Sequence, residues 1–106
     1  MIDRIISSQF MSLYDLCLLI REVVGDNFPD YIWIVAEIAN IKENQNGHCY
    51  LELVDKNEEK IIAQARATIW AYNYRSLAYK FEKATGETLK RGMKILFHAQ
   101  VQYHEV

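Results

Sequence analysis

The apolar residues change period at Ile32, and this constrains the fold more than any other feature. Before it, Leu13, Leu16, Cys17, Ile20 and Val24 recur three and four residues apart, one stripe of an amphipathic helix. Ser12 with Asp15 resembles a capping box, and Gly25 suits the C-terminal cap. Asp26 to Asp30 reads as a turn in which Pro29 stops the helix from resuming. From Ile32 onward the period is two: Ile32, Ile34, Ala36 and Ile38 fall on one face, Trp33, Val35, Glu37 and Ala39 on the other. A polar loop, Lys42 to Gly47, carries the turn signal Asn46-Gly47. A second strand follows over His48 to Asp55, with Cys49, Leu51 and Leu53 alternating against Tyr50, Glu52 and Val54.

Lys56 to Lys60 is the next turn, and a third strand spans about Ile61 to Trp70. Its inward set is Ala63, Ala65, Ala67 and Ile69, with Arg66 and Thr68 pointing the other way. Helical spacing returns at Tyr74, Leu77, Ala78 and Phe81 and ends near Gly86. After a Lys90-Arg91-Gly92 turn, Met93 to about Tyr103 reads as a fourth strand with Ile95, Phe97, Ala99 and Val101 on one side. The order helix, strand, strand, strand, helix, strand is most of an OB-fold, a five-stranded Greek-key barrel, here with an extra N-terminal helix. The expected organisation is a tail over residues 1–11 and a mainly β OB domain over 12–106, with the fifth strand expected beyond Val106.

Composition narrows the function. The net charge of −2 conceals an asymmetry: residues 1–59 carry 4 basic and 11 acidic side chains, and residues 60–106 carry 8 and 3. This reads either as a solvated basic helix or as a basic face on an acidic module. The longest apolar runs, Leu16–Ile20 and Tyr31–Ala36, are far short of a membrane span, and the first helix is not basic enough to bind a membrane surface. Cys17 and Cys49 are too few and too far apart for a disulfide scaffold, so a reducing cytoplasm is the expected location. His48, Cys49, His98 and His104 lack structural zinc spacing. No glycine-rich phosphate loop and no Ser-His-Asp or Cys-His arrangement is present, so neither metal nor cofactor is expected.

Several segments occur in the order seen in one family: Ser12-Leu13, Asn27-Phe28-Pro29, Glu37-Ile38-Ala39-Asn40, Gly47-His48-Cys49-Tyr50 and Leu53-Val54-Asp55. Ile69-Trp70 followed by Asn73, Gly92-Met93-Lys94 and Val101-Gln102-Tyr103 complete the set. From Ser12 to Val106 the chain resembles the amino-terminal OB domain of the large subunit of bacterial exodeoxyribonuclease VII. The resemblance implies an enzyme that degrades single-stranded DNA to oligonucleotides. Its large subunit combines a strand-binding OB domain, a catalytic domain and helices that recruit the small subunit. It also implies that the segment in hand carries no catalytic residue of that hydrolase. The sequence departs from the family at Val54, where lysine is usual, and at Ala71, where a basic residue is usual; both changes remove a side chain that could contact phosphate.

An OB-fold binds single strands through a basic groove and aromatic platforms on strands two and three. Tyr50, out of phase with Leu51 and Leu53, is the first candidate, either as a base platform or as an exposed ring covering the barrel. Arg66 shares that face, to hold a phosphate or to pair with Glu52. His48 either stacks or fixes the turn, and Lys42 either reaches the backbone from its loop or is simply solvated. Trp70 is platform or core, and Tyr103 flanks the groove from strand four. Arg75 and Lys80 are read as solvated helix residues. Single-stranded DNA is therefore the expected ligand, and the small subunit a partner through the rest of the large subunit. A homodimer or strand swap at the open sheet edges is also expected. Two other functions fit the same fold: a protein-interaction module docking a catalytic domain or subunit, and an anticodon-binding domain for tRNA.

Overall fold

In the computed structural model, residues 10–28 and 30–103 are described; the expected tail up to residue 9, Pro29 and His104 lie outside them. The elements are α1 (Leu13–Asn27), β1 (Ile32–Glu43), β2 (Cys49–Asn57), β3 (Lys60–Ile69), α2 (Ala71–Thr85) and β4 (Lys94–Ala99). The four strands form one sheet in the order β3-β2-β1-β4. This is the mainly β, OB-type architecture that the alternation predicted, with β1 returning to pair with the distant β4. The chain divides into two compact units, Val35–Phe97 and the described residues on either side of it.

The first unit owes its core to the period-two pattern. Ala36, Ile38, Cys49, Leu51 and Leu53 are buried together, and Ile38 and Cys49 are fully enclosed. Burying a side chain the size of Ile38 contributes about 1.5–3 kcal/mol. Tyr74 of α2 and Ile95 and Phe97 of β4 pack against this cluster. The predicted α2 stripe is present, although Leu77 remains exposed. Gly86 ends α2 in the left-handed conformation, its N–H donating to the Glu82 carbonyl.

The alternation fails within β1. A β-bulge between Ile38 and Asn40 inserts Ala39 and reverses the parity, so Ile41 rather than Asn40 joins the core. β1 consequently runs on to Glu43, and Lys42, predicted in the loop, is a strand residue opposite Tyr50. The β2–β3 turn is also tighter than predicted. Asn57 pairs with Lys60, leaving only Glu58 and Glu59 in the turn, both at positive φ (51° and 69°). In β3, Ala67 and Ile69 pack on the core as predicted, but Ala63 and Ala65 are exposed. Their partners Asp55 and Leu53 lie towards the hairpin tip, where Asp55 is itself exposed. β4 ends at Ala99, so Val101 and Tyr103 lie past it; Ile95, Phe97 and Ala99 share one side as expected, each half-buried between exposed neighbours.

In the second unit, the Ser12 side chain accepts from the Asp15 N–H at 3.0 Å, the predicted N-cap. The helix does not stop at Gly25. It continues to Asn27, whose side-chain amide donates to the Val23 carbonyl at 2.7 Å, while the Phe28 N–H donates to the Val24 carbonyl. Those bonds satisfy carbonyls that a glycine cap would otherwise serve. Cys17 is buried in this unit and Leu13 is exposed.

Candidate nucleic-acid interface

Antiparallel partners directly opposite one another share a face of the sheet. Leu51 faces Ile41 and Ala67 on the core side. The intervening residues therefore form rows on the other side: Lys42, Tyr50 and Thr68 in one, Asn40, Glu52 and Arg66 in the next. Each row crosses three strands, a span of about 10 Å. Together they line an open groove of about 310 Å³. The β1 bulge is what turns Asn40 and Lys42 towards it.

The groove presents an aromatic ring, two cations, one carboxylate and two neutral hydrogen-bonding side chains. Tyr50 is 38% exposed, so its ring is open to a ligand. Its hydroxyl accepts from Asn46 Nδ2 at 3.2 Å, which anchors the far end of the ring to the β1–β2 turn. Arg66 stands opposite Glu52 in register, yet it forms no ion pair among the described residues. Its guanidinium is exposed and available to an anion. At Val54, where the resembled family usually has lysine, the apolar side chain is buried.

His48 has a structural task. Its backbone N–H donates to Asn46 Oδ1 at 2.9 Å, and its Nδ1 accepts from the Ala71 N–H at 2.8 Å. Trp70, the N-cap of α2, makes no side-chain cap bond, and the imidazole serves the first orphan N–H of that helix instead. Gly47 completes the joint. Its φ is +86°, and a Cβ there would sit 3.1 Å from Ala71 Cβ. The Gly47-His48 pair thus docks the β1–β2 turn onto the start of α2.

His48 is also the centre of a chain of rings. It meets Trp70 edge-on at 5.0 Å between centroids and Tyr50 edge-on at 6.2 Å. Trp70 is 40% exposed and so is not core. Lys42, Tyr50 and Arg66 are thus brought together at the groove, with His48 and Trp70 joined to Tyr50 through ring contacts. Tyr103 belongs to the other unit, where its hydroxyl donates to Cys17 Sγ at 3.6 Å. Sequence reasoning missed Asn40 as a groove residue, because its placement depends on the bulge; Thr68 was legible from its phase with Arg66.

Within the core beside this face, burial pushes the Cys49 thiol up; the hydroxyl of Tyr74 bonded to it opposes the rise and the Glu43 carboxylate adds to it. Tyr74 is raised first by its own burial, then by Cys49 and Glu43. Both groups stay protonated and neutral at neutral pH. Among the described residues no cluster of His, Cys, Asp and Glu could hold a metal ion.

Comparison with known proteins agrees with this geometry. A model of the OB-fold nucleic acid binding domain matches residues 11–106. The exodeoxyribonuclease 7 large subunit of Deinococcus radiodurans is 34% identical over 102 residues, covering 91% of this chain and 24% of that protein. The protein of the same name from Hamiltonella defensa is 26% identical over 98 residues, covering 92% and 19%. The chain spans a quarter or less of the length of these curated relatives. The resemblance read from the ordered motifs is thereby borne out: the chain belongs to the OB-fold nucleic-acid-binding domain family, and its curated relatives are large subunits of exodeoxyribonuclease VII.

Proposed function

We propose that this chain is the single-stranded-DNA-binding module of an exodeoxyribonuclease VII large subunit and is itself non-catalytic. The observation that carries the reading is the convergence of Lys42, Tyr50 and Arg66 on one exposed groove of the sheet. A ring stacks on any base because every base has a π-face, and two cations beside it neutralise the phosphates that link successive bases. Asn40 and Thr68 add hydrogen bonds without demanding a sequence. In this reading, catalysis and recruitment of the small subunit belong to the rest of the large subunit, and the module works in the cytoplasm.

The test is a fluorescence-anisotropy titration at low salt with labelled oligo-dT of about 20 nucleotides, longer than one OB site. Tyr50→Ala is expected to weaken binding by about 1–3 kcal/mol. Arg66→Ala is expected to reduce the slope of log K against log salt by about 0.7, the share of one phosphate contact on a single strand. Absence of binding at tens of micromolar, or indifference to the two substitutions combined, overturns the proposal. A preference for tRNA over oligo-dT replaces it with the anticodon-binding reading. Salt-insensitive capture by the rest of the large subunit, without DNA binding, replaces it with the docking reading.

A further inference from the structure

The unit outside Val35–Phe97 holds an aromatic cluster that the groove does not use. Tyr31 and Trp33 are two residues apart, which puts both side chains on one side of the extended chain. His98, in β4, lies against both. Its ring is stacked on the Trp33 indole at 4.5 Å between centroids and 9° between planes. It meets the Tyr31 ring at 5.2 Å and 49°. The cluster is open to solvent: Trp33 is 67% exposed and Tyr31 is 56% exposed. His98 covers one face of the indole, so the exposure belongs to the other face and the edges.

We propose that Tyr31, His98 and Trp33 form a second stacking platform for an unpaired base of single-stranded nucleic acid. The inference rests on the function proposed above and adds a site to it. Two features favour a base over a protein side chain as occupant. First, the near-parallel His98 holds the indole plane in place, so a flat ligand stacking on the free face pays little ordering entropy. Second, the rim is polar. The Trp33 Nε1, the Tyr31 hydroxyl and the His98 imidazole make no hydrogen bond among the described residues. A nucleotide can stack its base on the free indole face while the sugar and phosphate oxygens of the strand pass the edges where these donors point, whereas an apolar docking segment would leave those groups unpaired.

The experiment follows anisotropy of labelled oligo-dT and intrinsic tryptophan emission in parallel, for the unaltered protein, Trp33→Leu and Trp33→Phe. Trp33→Leu is expected to weaken binding roughly 5- to 150-fold, the factor that one base–aromatic stack supplies. Trp33→Phe, which keeps a ring, is expected to retain most of the affinity. The emission attributable to Trp33, taken as the difference between the unaltered protein and Trp33→Phe, should be quenched by saturating oligo-dT. Far-UV circular dichroism should be unchanged in both variants, since the side chain is largely exposed. Oligo-dT binding with Trp33 emission unaltered, or with Trp33→Leu as tight as the unaltered protein, overturns the platform and leaves the groove standing. Failure of the unaltered protein to bind at all overturns the proposed function and the platform with it.

Discussion

Gly47→Ala should cost stability because the turn, the helix start and the groove meet at this residue. The backbone there is at φ +86°, a conformation that costs an L-residue with a Cβ about 1–2 kcal/mol. The new methyl would also stand 3.1 Å from Ala71 Cβ, closer than ordinary van der Waals contact. Ala71 cannot give way cheaply: its N–H is held by His48 Nδ1 at 2.8 Å, and its Cβ is fixed to the helix backbone. Moving Ala71 weakens a hydrogen bond worth about 1 kcal/mol. Against these stands the lower entropy of the unfolded chain when alanine replaces glycine, about 0.4–1 kcal/mol in the variant's favour. The net expectation is a loss of about 2 kcal/mol, or roughly 8 °C in Tm for a domain of this size. Urea denaturation followed by circular dichroism measures it, with an unchanged m-value showing that stability alone has moved. Gly47→Asn is the control, because asparagine tolerates positive φ better than alanine; it meets the same contact but should lose less. A Gly47→Ala loss below about 0.5 kcal/mol would refute the argument from φ and the Ala71 contact.

Three further outcomes follow from the same geometry. His48→Ala strands the Ala71 N–H at the helix start and should cost about 1 kcal/mol in urea denaturation; an unchanged midpoint would show that water replaces the imidazole freely. Glu58→Asn combined with Glu59→Gly places a favoured type I′ pair where two glutamates now hold positive φ, and should stabilise by about 1–2 kcal/mol; a neutral or destabilising result contradicts the assigned turn. Cys49 and Tyr74 both have folded pKa values above their unfolded ones, so their contribution to stability is fully present below the usual thiol range. It is lost as pH rises through the folded values. The urea midpoint should therefore fall on the alkaline side, and fall less steeply in Cys49→Ala; an equal fall in both would remove Cys49 from the explanation.

How much of this was legible in the sequence depended on whether a residue's neighbours along the chain determined its place. On β2 the predicted inward set, Cys49, Leu51 and Leu53, is buried because it alternates without interruption; Val54, on the opposite face, is buried as well, which its phase does not foretell. Arg66 and Thr68 followed from the same counting on β3, although Ala63 and Ala65 showed that a period says which side a residue faces and not whether anything covers it. β1 was read correctly only as far as the bulge. An inserted Ala39 carries no composition signal, yet it decides that Lys42 lies on the strand and that Asn40 turns to the groove. The Glu58-Glu59 turn escaped for a different reason. Local propensity argues against positive φ at both residues, and the pairing of β2 with β3 overrides it. The functional readings divide along the same line. Tyr50 is accessible to a period-two argument, whereas the same argument places Trp33 only on the face opposite Ile32 and Ile34, and its interest comes from His98, 65 residues further along the chain, stacked on it. A binding face in this fold is assembled across strands. Strand periodicity therefore identifies its members one strand at a time, and registers and bulges decide which members meet.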